Sequence, residues 1–139
     1  MTTADATGGL RPTSIWTDPH GSRIERSGGV LVVRLSGDFA EESGANMAQL
    51  VTQALADRPA AVVLDLSKVN FIGSSALSVL VGARHRADEA RIAMSLVATR
   101  RATLLPLELT GLTRLFPVFP AVRDAVAAVR RTSAEALSA

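Results

Sequence analysis

Few residues in this chain are of types that carry chemistry, and serines stand out among them. The 139 residues include no cysteine, no tyrosine and two histidines. Without cysteine, disulfides, thiolate metal sites and thiol catalysis are excluded. His20 and His85 are far apart, and His85 reads as a helix-face residue rather than a metal ligand or a base. Asp38, Asp65, Asp88 and Glu89 are acid–base groups by type, but strand ends and a solvated helix face account for them. The phosphate-cradling patterns G-x-x-x-x-G-K-[ST] and G-x-G-x-x-G are missing, as is the nucleophile elbow G-x-S-x-G. The serines have no evident base. The sequence therefore points to interaction rather than catalysis and calls for no cofactor or metal.

The distinctive segment is residues 63–77, Val-Leu-Asp-Leu-Ser-Lys-Val-Asn-Phe-Ile-Gly-Ser-Ser-Ala-Leu. It reads as a buried strand, a short loop over 68–73 and the start of a helix at Ser74 or Ser75. In an open α/β sheet, functional groups gather at this kind of junction. A phosphate on Ser74 would add roughly −1.5 to −2 charge and three acceptor oxygens. At a helix start, the free N–H groups and the helix dipole favour such a charge by about 0.3–1 kcal/mol. A partner docked over the same loop would meet a new buried charge, which is costly unless paired. That combination is the physics of a binding switch. On spacing alone a serine here is more simply a helix N-cap.

The elements that position this segment alternate in type. Residues 23–27 and 30–35 are extended runs around Gly28-Gly29, a hairpin signal. Residues 41–57 have helical spacing, with Ala45, Ala48, Leu50, Val51, Ala54 and Leu55 recurring three and four apart, and a break at Pro59. Residues 60–66 are a second apolar strand, the Ser74 helix runs to about 90, and 92–97 is again extended. Residues 99–109 read as helix with Pro106 inside it, 116–119 as strand, and 121–132 as a last helix opened by Pro120. The order β-β-α-β-α-β-α-β-α calls for one α/β domain with a mixed sheet of four to five strands and helices packed against it. Residues 1–21 read as a flexible tail that tacks Ile15 and Trp16 onto the body, 22–132 as the domain, and 133–139 as a frayed end.

Apolar residues make up 47% of the chain and the formal net charge is +2. The Arg100-Arg101 and Arg130-Arg131 pairs form no stripe, and aromatics are 4%, so no nucleic-acid footprint is expected. No apolar run is long enough to span a bilayer, and the first residues lack a signal-peptide pattern, which makes cytoplasm the default location. The expected oligomeric state is a monomer or weak homodimer.

The segment 63–77 resembles the signature of STAS domains, a strand ending Asp-Leu-Ser followed by Val-x-Phe-Ile/Met-Asp-Ser-Ser-Gly-Leu. Val32-Val33-Arg34-Leu35-Ser36-Gly37-Asp38 is similar to the family's second strand, and Leu107-Glu108-Leu109-Thr110-Gly111-Leu112-Thr113-Arg114-Leu115-Phe116 to its third helix and exit. The resemblance spans about residues 24–129. A lone domain of this size most resembles the anti-sigma factor antagonists. That resemblance implies a non-enzymatic protein that binds an anti-sigma factor, often a serine kinase, and so frees a sigma factor. It implies switching off by phosphorylation of Ser74, with Ser75 the second serine of the pair, and restoration by a serine phosphatase. It also implies a docking face built from Asp38, Phe39, Gly73, Ser74, Ser75, Leu77 and Ser78, with Phe39 and Leu77 as apolar anchors or as core. Asp38 is alternatively a cap for the helix near Glu41. Two positions depart from the pattern: Gly73 replaces the family's Asp, and Ala76 its Gly. An accessory STAS subunit of a lipid ABC-type transporter is the alternative that these departures leave open.

Overall fold

The structure, a computed structural model, describes residues 13–17 and 21–138. Strands β1 (Thr13–Thr17), β2 (Arg23–Ser27) and β3 (Val30–Phe39) form an antiparallel meander. Gly28 sits at φ +64°, the left-handed backbone that the two-residue turn between β2 and β3 requires. From β3 onward, every strand pairs parallel to the one before: β4 (Ala61–Ile72), β5 (Ala93–Val97) and β6 (Val118–Phe119). The strands lie in chain order across one six-stranded sheet.

Parallel neighbours need helical crossovers, and these are right-handed. Because the order across the sheet never reverses, all the crossovers fall on one face. They are α1 (Glu41–Ala56), α2 (Ser74–Ala90), and the pair α3 (Arg101–Leu109) and α4 (Leu112–Leu115). The main core fills that face: Leu31, Val33 and Leu35 of β3 and Leu64 and Leu66 of β4 pack with Met47, Leu50, Leu80, Leu107 and Phe116. The last helix, α5 (Val122–Ser138), lies on the other face, where Val30, Val32, Ala61, Val63 and Val97 meet Ala125 and Val126. Burial on both faces explains the near-continuous apolar runs of β3 and β4.

The sheet has six strands rather than four or five, because Thr13–Thr17, inside the expected tail, pairs with β2 as an edge strand. The rest of that tail, residues 1–12 and 18–20, lies outside the described residues. The segment 68–73 is not a loop: β4 runs on to Ile72, paired with β3 through Phe39↔Ile72. The 99–109 helix begins at Arg101 and is followed by the one-turn α4. The last helix continues to Ser138 rather than ending near 132.

An ion network crosses the start of the sheet on the α5 face. Arg34 donates from Nε to Glu25 (2.7 Å) and from Nη1 to Asp65 (2.8 Å), while Arg23 also pairs with Glu25. Asp65 further accepts the backbone N–H of Ser67 at 3.0 Å. Burial alone would raise the Glu25 carboxyl, but the hydrogen bonds and charges of Arg34 and Arg23 outweigh it and hold Glu25 below its ordinary value. A depressed carboxylate stabilises the fold above its unfolded pKa, and that contribution is lost as pH falls through the folded pKa. Glu25→Gln is therefore expected to cost about 1.5 kcal/mol at neutral pH, as for a hydrogen bond to a charged group. Urea melts should show the gap between wild type and variant closing as pH drops below the ordinary carboxylate range.

Candidate partner-binding site

The site forms where β3 and β4 end and α2 begins. Phe39 and Ile72 pair as the last rungs of the ladder, and the Gly73 N–H donates to the Phe39 carbonyl at 2.7 Å. These contacts bring the end of β3 and the start of α2 side by side. Gly73 is the N-cap of α2, in extended conformation, and its carbonyl accepts the Leu77 N–H at 3.0 Å. No side chain caps this helix. Ser74 is therefore the first helical residue and not the cap that its type suggested. Its side chain is exposed, and Ser78 is exposed one turn further on. Ser75 behaves differently: its hydroxyl donates to the Ala40 carbonyl at 3.3 Å, tying α2 to the start of α1.

Asp38 is exposed at the rim, whereas Phe39 is 4% exposed and belongs to the core. Phe39 is thus removed from the expected set of partner anchors, because its strand alternation turns it toward the helices. Leu77 is half-buried, one face on the core and one on the groove beside α2. Asp38 does not cap α1: the N-cap there is Ala40, with no side-chain bond.

The structure adds residues that sequence reasoning missed. Between Gly37 and Asp38 the register with β4 slips, so that Gly37 faces Val69 but Asp38 faces Phe71. The extra residue, Asn70, makes a bulge, and bulges re-aim side chains. Asn70 and Phe71 both face solvent, while Val69 and Ile72 stay buried. Phe71 is 52% exposed, unusual for so large an apolar ring. Arg100, at the N-cap of α3, donates to Asn70 Oδ1 and fixes the bulge to the next crossover. On the other side of Ser74 runs a groove lined by Ser74, Leu77, Ser78, Val81, Thr110 and Leu112. Leu109, 78% exposed, lies on α3 just before Thr110. The exposed Phe71 and Leu109 and the half-buried Leu77, interspersed with Ser74, Ser78 and Thr110, give this end of the sheet a mixed apolar and polar surface. No cluster of metal-ligating side chains occurs among the described residues, and no helix of the described residues is long and apolar enough to cross a membrane.

A family model of the STAS domain matches residues 22–125. The chain belongs to the STAS domain family. Anti-sigma-F factor antagonist RsfB of Mycobacterium tuberculosis is 31% identical over 102 residues, which cover 73% of this chain and 83% of that protein. A crystal structure of an anti-sigma factor antagonist from Mycobacterium paratuberculosis matches with TM-score 0.74 at 34% identity, over 83% of this chain and 99% of that one. The unphosphorylated anti-sigma factor antagonist SpoIIAA shares the fold at 13% identity, with TM-score 0.59 over 86% and 96% of the two chains.

Within this STAS domain, Gly73 has a local reason. A Cβ there would lie 3.3 Å from the Phe39 carbonyl oxygen and 3.3 Å from Phe71 Cε2. The carbonyl is held by the ladder, so only the exposed Phe71 ring can yield. Gly73→Asp would gain a few tenths of a kcal/mol as an N-cap and lose a similar amount in displacing the ring. Thermal stability is expected to stay within about 0.5 kcal/mol of wild type, the range of mild surface changes. The Phe71 ring resonances should shift, and unchanged resonances would show that the ring does not rest on Gly73.

Proposed function

We propose that this STAS domain is an anti-sigma factor antagonist. It binds an anti-sigma factor through the face around the α2 N-terminus and thereby releases a sigma factor. The partner is an anti-sigma factor with serine kinase activity. Phosphorylation of Ser74 ends the interaction, and a serine phosphatase restores it. The domain itself is a binding protein and not an enzyme.

The observation that carries the switch is the contrast between the two serines. The Ser74 hydroxyl is exposed at the first position of α2, while the Ser75 hydroxyl is engaged with Ala40. A kinase can reach Ser74 without disturbing a bond. Once attached, the phosphate would stand at a helix N-terminus, where the unpaired backbone N–H groups and the dipole favour it. The fold accepts the modification and the docked partner does not, since it would bury an uncompensated dianion beside Leu77 and Phe71. The antagonist names carried by the relatives support the partner class.

The test is affinity capture from the source organism's lysate, membranes included, with wild-type and Ser74→Asp baits and identification by mass spectrometry. An anti-sigma factor recovered by the wild type and lost with the Asp variant supports the reading. A transporter permease and ATPase recovered with both baits would replace it with the accessory-subunit role.

A further inference from the structure

The face of the sheet opposite Ser74 is only partly covered. Helix α5 rests mainly on β4, β5 and β6. It leaves the β2–β3 side as a groove of about 530 Å³, within the size range of small-molecule sites. Strand alternation supplies the floor. Val30 and Val32 of β3 face α5, so Arg34 faces the same way, and Ser27 of β2 stands beside Val30. Helical spacing supplies the wall: Arg123, Ala127, Arg130 and Arg131 follow one another at intervals of three and four and share one side of α5. The Arg130-Arg131 pair stands alone in the sequence, and the fold brings Arg123 and Arg34 to it.

Two observations point to an anionic ligand. The first is uncompensated charge. Every charged side chain lining the groove is an arginine, and no carboxylate lines it. The side chains of Arg123, Arg130 and Arg131 are exposed and make no ion pair or hydrogen bond with the described residues. Arg34 is committed to Glu25 and Asp65, yet its side chain is 29% exposed and its Nη2 makes no hydrogen bond. Glu25 and Asp65 are matched by Arg23 and Arg34, so the three arginines of α5 hold more positive charge than the net +2 of the whole chain. The second is the placement of Arg130. An added Cβ at Gly28 would lie 3.2 Å from its Nη2, so the guanidinium reaches from α5 to the β2–β3 turn, at the Ser27 end of the groove. A cleft lined by one sign of charge focuses its field on a counter-ion. Guanidinium groups bind phosphate bidentately, and a phosphate offers oxygens to several of them at once.

We propose that the groove between α5 and the β2–β3 hairpin binds a phosphate-bearing ligand with at least two negative charges, held by Arg123 and Arg130 with Arg131 and Arg34 beside them. The site is on the far face of the sheet from Ser74 and is independent of the antagonist reading.

The test is a 1H–15N NMR titration of the full chain with inorganic tripolyphosphate, read on backbone amides and arginine Nε–H groups. Saturable shifts are expected at Ser27, Arg123, Ala127 and Arg130, with an affinity that falls several-fold as salt is raised. Arg123→Gln and Arg130→Gln should each weaken binding at least fivefold and melt no lower than wild type, since each relieves repulsion. Arg101→Gln removes the same charge from the surface of α3 and should change binding less than twofold. Sedimentation with phosphatidylcholine vesicles containing a phosphoinositide, using the same variants, separates the sources. Arginine-dependent binding to vesicles and tripolyphosphate alike assigns a lipid headgroup, and binding to tripolyphosphate alone a soluble phosphate compound. Shifts that stay linear into the millimolar range, equal weakening by Arg101→Gln, or binding of a polyglutamate peptide in place of tripolyphosphate would overturn the proposal.

Discussion

Ser74→Asp is expected to weaken binding to the anti-sigma partner at least tenfold, a loss of about 1.4 kcal/mol or more, while the protein stays as stable as wild type. The two halves of this result have separate causes. Stability holds because Ser74 is not a cap: Gly73 occupies that position and no side-chain cap bond exists to lose. A carboxylate in the first helical turn adds a favourable interaction with the dipole of about 0.3–1 kcal/mol. Binding fails because the same carboxylate faces outward between the exposed Phe71 ring and the Leu77 groove. A partner seated on both would strip water from an unpaired charge. Calorimetric titration of the two proteins, alongside their thermal melts, checks both halves. Equal affinities would remove Ser74 as the switch. A melting point many degrees lower would mean that the hydroxyl holds the helix after all. Ser75→Ala is the structural comparison: it removes the exposed Ala40 bond and should cost about 0.5 kcal/mol of stability, and because it introduces no charge its effect on partner binding should stay well below that of Ser74→Asp.

The largest stability effect is expected at Arg34, on the other face of the sheet. Arg34→Ala leaves the side chains of Asp65 and Glu25, 5% and 11% exposed, without their shared guanidinium. Removing one member of a buried ion pair typically costs about 3–5 kcal/mol, because the remaining charge stays buried. Arg34 is itself partly solvated, Glu25 retains Arg23, and Asp65 retains the Ser67 N–H. The low end, about 3 kcal/mol, is therefore expected. Chemical denaturation should show most of that loss recovered in Arg34→Met/Asp65→Leu, where the pair is replaced by apolar groups of similar bulk. A loss under about 1 kcal/mol for Arg34→Ala would put the pair in the class of exposed salt bridges.

Much of the fold could be read from the sequence because its strongest signals are local. The unbroken β-branched run of β3 and the apolar run of β4 declare strands buried on both faces, and the Gly28-Gly29 turn declares the hairpin. The resemblance of residues 63–77 to the STAS signature located the junction that carries Ser74. What could not be read depends on register and packing. The β4 bulge at Asn70, which sends Phe71 outward, arises from pairing with β3 and leaves no mark in residue type. Phe39 and Phe71 are both phenylalanines near strand ends, and only the ladder makes the first core and the second surface. Ser74 and Ser75 are chemically identical, and only the position of the Ala40 carbonyl tells the engaged one from the exposed one. Thr13–Thr17 was hidden for a different reason: its polar, Pro-flanked surroundings resemble a tail. The pairing of Glu25 and Asp65 through Arg34 joins three strands and has no sequence-local trace.

The most direct measurement of the central claim is sigma release in a purified system. The sigma factor bound to the captured anti-sigma factor would be titrated with this domain, and free sigma followed by transcription from its promoter. Transcription is expected to rise with wild-type protein to a plateau near one equivalent, and to rise far less with Ser74→Asp at the same concentrations. No release by folded wild-type protein in excess, with the anti-sigma complex left intact, would contradict the account.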